Sequence, residues 1–138
     1  MLKIILTSLL LICGFVSCTE TTREEMLIGK WKYQGMERHD GTAVDLKDST
    51  ANRVHKNNEG IILVFNQDKT CQSGKEKNNG FESFGNDTWQ LSNDQNFILM
   101  AGKNGREDRF QIIKLTDNRF VFTFNPSSEE YLVFVKTK

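Results

Sequence analysis

Three residue types in this chain could support chemistry: its cysteines, its two histidines and a close pair of aspartates. His39 and His55 have no Cys or second His at ligand spacing, so both are expected in solvent and a zinc site is not expected. Asp45 and Asp48 can share a turn, but the stretch lacks the alternating oxygen ligands and closing Glu of a calcium loop. The chain carries no Gly-rich phosphate loop, no G-x-S-x-G and no nucleophile with its base nearby. The expectation is a protein without catalytic residues, metal or cofactor. Of the cysteines, Cys13 and Cys18 fall in or beside an N-terminal apolar run, and Cys71 alone lies in the body. No internal disulfide follows, and a single strand cysteine with no His near it in sequence is expected to be a small buried apolar residue.

The elements that position these residues begin with the leader. Lys3 gives it a positive start, and Ile4 to Val16 is an almost unbroken apolar run, too short to span a bilayer as a mature helix. It reads as an export signal over residues 1–17. Its end, Phe15-Val16-Ser17-Cys18, resembles the lipobox of bacterial lipoproteins, with Phe15 where Leu is usual. That resemblance implies lipidation of Cys18 and removal of Cys13 with the leader. It also implies attachment through more than one acyl chain, as stable anchoring requires. The alternatives are an ordinary signal peptide cut nearby or a retained anchor helix. Thr19 to Glu25 is polar and without apolar periodicity, so residues 18–25 read as a tether. The expected location is the cell envelope, lipid-anchored at the outer membrane on its periplasmic or surface side. Glu20, Glu24 and Glu25 are compatible with the acidic surface-export signal of some bacterial groups.

Residues 26–138 are enough for one domain with one core. With 18 basic and 18 acidic side chains and no basic stripe, the chain offers nucleic acid no electrostatic footprint. Trp31 and Tyr33 alternate with Lys30, Lys32 and Gln34, the period of a half-buried strand. From Gly60 onward, strand signals recur at the spacing of a sandwich or barrel. They are Ile61–Phe65, Thr70–Lys75, Asn86–Ser92, Phe97–Ala101, Asp108–Leu115, Phe120–Phe124 and Tyr131–Val135. Two polar connections interrupt the pattern. Met36 to Gly60 has few apolar residues, with a short strand over 42–46 or a helical turn over 49–55 as options. Lys75 to Gly85 reads as a loop turning at Asn78-Asn79-Gly80.

The series Gly29-x-Trp31, Leu63-x-Phe65-x-x-Asp68-Lys69-Thr70, Trp89-x-Leu91-Ser92, Ile112-x-x-Leu115-Thr116-Asp117, Phe120-x-Phe122 and Phe134-x-Lys136 resembles the small lipocalin-like domain of Bacteroidetes-type lipoproteins. Lys69 stands where that family usually has Gly. The resemblance spans nearly all of the chain after the leader. It implies an all-β domain, a single eight-stranded antiparallel up-and-down barrel, with the first long connection lying across the open end as a lid. It further implies that Arg119 packs on Trp31, and that Thr116-Asp117 matches the Thr-Asp motif near a late strand turn.

Three roles fit such a barrel. One is carriage of a small apolar ligand, with Trp31, Tyr33, Phe65, Trp89, Phe110, Phe120, Phe122 and Phe124 lining the cavity or its floor and a guest reported by tryptophan emission. Ten Phe and two Trp make this possible, yet the same rings would also close-pack a solid interior. The second is an accessory module that contacts an envelope protein or glycan through its loops. The third is an enzyme inhibitor. Cavity volume separates the first from the others, because a packed core holds only voids smaller than a water while a ligand site holds a few hundred Å3.

Overall fold

A computed structural model describes residues 21–138, so the leader and Cys18 lie outside the described residues. Eight antiparallel strands follow one another as β1 (Gly29–Arg38), β2 (Ile61–Phe65), β3 (Thr70–Lys77), β4 (Gly80–Leu91), β5 (Phe97–Ala101), β6 (Glu107–Leu115), β7 (Arg119–Thr123) and β8 (Glu130–Thr137). Each pairs with its successor and β1 closes on β8, which leaves no sheet edge unpaired. The alternation that marked the strands sorts the interior: Trp31, Phe65, Trp89, Phe120 and Phe134 are all but inaccessible, while Lys30 and Gln34 stand in solvent.

One end is closed by helix α1 (Arg23–Leu27), which starts inside the predicted tether. Thr22 accepts from Glu25 N at 3.2 Å and the Glu25 carboxylate accepts from Thr22 N at 2.8 Å, a capping box that satisfies the first orphan amides of a short helix. Its register places Leu27 fully inside the barrel, and Arg23 Nη1 donates to Gln95 O at 2.7 Å. Buried apolar contact therefore turns polar sequence into structure from Thr22 onward.

The two polar connections also differ from expectation. Lys75 to Gly85 is a hairpin arm: β3 continues to Lys77 and β4 begins at Gly80, with Lys75 opposite Glu82 and Glu76 opposite Phe81. Its backbone ladder holds it although solvent wets much of both faces, so no hydrophobic alternation marks it in the sequence. In the first connection, β1 runs on to Arg38, Glu37 bridges Ala43, and helix α2 spans Ser49–Asn58. Asp48 caps α2 by accepting from Thr50 N and Ala51 N at 2.8 and 2.9 Å, and Asp45 accepts from Lys47 N at 3.0 Å. Both aspartates are thus spent on backbone amides. Ala51 is buried and Val54 packs on the core, so this helix covers part of the end opposite α1.

Candidate functional site

The interior divides into a packed floor and an open cavity. At the floor, the rings of Trp31 and Phe120 meet edge-on at 5.6 Å, those of Phe65 and Trp89 at 5.5 Å, and those of Phe65 and Phe120 at 6.2 Å. Trp31 Nε1 donates to Leu27 O at 2.7 Å and Trp89 Nε1 to Asn66 O at 3.1 Å, so neither indole leaves a buried donor unpaired. A lysine sits against each: Lys136 Nζ is 4.9 Å from the Trp31 ring and Lys69 Nζ is 4.5 Å from the Trp89 ring. Lys136 also donates to Met26 O and Ile28 O at 2.7 and 2.8 Å, and burial lowers its pKa.

Arg119 does not pack on Trp31. It lies opposite Val135 in the register, on the outer face it shares with Val121, and pairs there with Glu37. Lys136, the cross-strand neighbour of Trp31, takes the expected position. Thr116 serves its turn, accepting from Arg119 N at 3.1 Å. Lys69 adopts φ of 69°, the left-handed conformation that explains the usual Gly at that position. Asp68 holds the turn by accepting from Thr70 N at 3.0 Å and Thr70 Oγ1 at 2.6 Å.

Above the floor, toward α2, lies an apolar cavity of about 220 Å3. Of the eight aromatic residues singled out in the sequence, Phe110, Phe122 and Phe124 line it. Trp31, Phe65, Trp89 and Phe120 belong to the floor, and Tyr33 lies outside the lining, against Phe134 at 5.5 Å. Phe124 is one residue past the end of β7 and is 59% exposed, so the β7 row of phenylalanines runs from floor to mouth rather than wholly inward. Because neither tryptophan touches the cavity, a guest there does not meet an indole. The far face of β7 is covered as well: Val121 is buried with Tyr131 and Val133, and Thr123 is buried while accepting from Asn125 N.

The lining also contains residues that sequence reasoning passed over. Leu132 and Phe134 on β8, Leu63 and Ile61 on β2, and Met100 on β5 supply apolar wall; Asn58 comes from α2. Leu132 and Phe134 show the same period-2 spacing as Phe120 and Phe122, a signal that was available. Phe84 had none. A register shift between Ser73 and Gly74 pairs Ser73 with Gly85 and Gly74 with Ser83, which leaves Phe84 as the extra residue of a bulge aimed at the cavity.

The titratable and nucleophilic groups considered in the sequence lie outside the cavity lining. Tyr33 Oη is 3.0 Å from His55 Nδ1, which places His55 against the core rather than in open solvent. Burial, with the Glu59 charge adding to it, pushes the Tyr33 phenol up to about 12. Cys71 is buried, as expected of a small apolar strand residue, and its thiol is likewise pushed up to about 12 by burial and then by the Asp87 carboxylate, which disfavours the thiolate. His39, at the exposed end of the first connection, lies 3.3 Å from the Tyr131 hydroxyl.

The profile of the lipocalin-like domain family matches residues 27–122. This chain belongs to that family. Among solved structures, an uncharacterised protein from Bacteroides eggerthii is similar at TM-score 0.54 with 14% identity, covering 80% of this chain and 99% of that one. A lipocalin-like protein from Bacteroides uniformis is similar at TM-score 0.53 with 15% identity over 81% and 99% of the two chains. A DUF4847 family protein from Bacteroides vulgatus gives 0.51 with 14% identity over 84% and 97%. At these identities the likeness is one of fold. No curated protein matches the chain.

Proposed function

We propose that this lipocalin-like protein is a lipid-anchored component of the bacterial cell envelope that holds one small apolar guest and works by binding rather than catalysis. The observation that carries the binding reading is the cavity of about 220 Å3 walled by Phe110, Phe122, Phe134, Leu132 and Met100. The space opens to solvent between Phe84 and Phe124 and narrows onto buried apolar wall, and an enclosed apolar cavity of roughly 150 Å3 already holds benzene. The burial of Cys71 and the engagement of His55 with Tyr33 favour a binding protein over an enzyme. The anchor rests on Lys3, the apolar run and Ser17-Cys18.

Binding is tested by titrating 2-phenylethanol into the purified protein and following backbone amide shifts. Saturable shifts confined to the cavity walls are expected, and Ser73→Phe, which puts a ring into the same space, should abolish them. Shifts that are absent, or that spread over the surface without saturating, would refute the reading. For the anchor, Cys18→Ala should move the protein from the membrane to the soluble fraction; unchanged retention would refute it.

A second reading, contact with an envelope protein or glycan, has one observation in its favour. The β3–β4 arm presents Phe81, 44% exposed, on a protruding hairpin. Phe81→Ser would weaken such contact without altering 2-phenylethanol binding.

A further inference from the structure

The cavity wall carries charge of one sign. Asp87 lies two residues before Trp89 on β4 and opposite buried Cys71, and Asp108 lies two before Phe110 on β6 and opposite buried Met100. Both carboxylates are therefore on inward faces, both line the cavity, and among the described residues no Lys, Arg or His lines it. Asp108 is paired with Arg106, whose side chain is 72% exposed, at 3.0 Å. Half-buried Asp87 takes part in no ion pair among the described residues.

An anion against an apolar wall loses hydration without compensation unless a cation meets it. In the same lining the rings of Phe110 and Phe124 meet at 4.6 Å and those of Phe122 and Phe124 at 5.5 Å, offering aromatic surface that attracts a cation and accepts a ring. Volume limits the rest of the guest. Compared with the benzene-sized case of roughly 150 Å3, about 220 Å3 admits one ring with a short arm.

The geometry points to a small arylalkyl amine as the guest, its ring among the phenylalanines and its ammonium on Asp87. This deepens the cavity reading above and rests on it. The same charges turn away fatty acids and other carboxylates.

Three probes of nearly equal shape test it on the purified protein by calorimetry: phenethylamine, 2-phenylethanol and 3-phenylpropionate. Phenethylamine is expected to bind about tenfold more tightly than the alcohol, as a charge-assisted hydrogen bond warrants, and the carboxylate most weakly. Asp87→Asn should erase the amine's advantage while leaving the alcohol unchanged, and Asp108→Asn should reduce it less. In the parent protein the advantage should shrink in 1 M salt, a readout that needs no variant to fold. Equal binding of amine and alcohol would overturn the charge assignment and leave the apolar cavity standing. Binding of none of the three would overturn both.

Discussion

Removing the indole of Trp31 tests whether the floor organises the barrel. The residue has no solvent exposure, meets Phe120 at 5.6 Å, lies under Lys136 and donates to Leu27 O at 2.7 Å. Trp31→Ala leaves a cavity between α1 and the core and should cost about 3–5 kcal/mol. That is a large part of the 5–15 kcal/mol typical of a whole domain. Trp31→Phe separates the contributions, because it keeps a ring against Phe120 but leaves the Leu27 carbonyl without its donor, at about 1–3 kcal/mol. Urea unfolding of both variants reads the difference. With a slope of roughly 1–3 kcal/mol per molar, the Ala variant should lose about 2 M in midpoint and the Phe variant about half as much, at unchanged slope. An Ala midpoint within about 0.3 M of the parent would refute the claim that this floor holds the fold. Equal loss in the two variants would refute the division between ring packing and hydrogen bond.

Two further outcomes follow from the structure. At Gly74 an added Cβ would lie 2.3 Å from Phe81 Cζ and 2.5 Å from Glu82 O, so Gly74→Ala should destabilise the β3–β4 arm by about 1–3 kcal/mol and speed amide exchange there before elsewhere; unchanged exchange would refute the close approach. Tyr33 and Cys71 have folded pKa values raised to about 12 from ordinary values of 10.0 and 9.0, so the stability they hold is complete below pH 9 and is lost as the pH climbs toward 12. The urea midpoint should fall across that window, and Tyr33→Phe combined with Cys71→Ala should flatten the fall; an equally steep fall in the double variant would refute the assignment.

Much of the barrel was legible because alternation is a local property. Trp31 with Tyr33, Phe120 with Phe122, and the boundaries of Ile61–Phe65 and Phe97–Ala101 need only a strand with one dry face. The Thr22-x-x-Glu25 capping box was equally local, and it was passed over because its helix is too short to show a periodicity. The inward direction of Asp87 was readable from its spacing to Trp89. The arm over 75–85 gave no such signal, since strands wetted on both faces have no hydrophobic pattern; its ladder is supported by the Lys77–Glu82 and Lys32–Glu76 ion pairs and by Phe81 lying against Gly74.

The sequence by itself thus determined the all-β class, the alternation of most strands and the order in which they follow one another. Only the tertiary structure decided how the dry rings divide between floor and cavity. That division depends on where α1 and Lys136 plug one end, where α2 crosses the other, and where a bulge sets the half-exposed Phe84 at the cavity mouth. Each of these joins residues far apart in the chain, and it is closure of the barrel, which no single strand encodes, that brings them together.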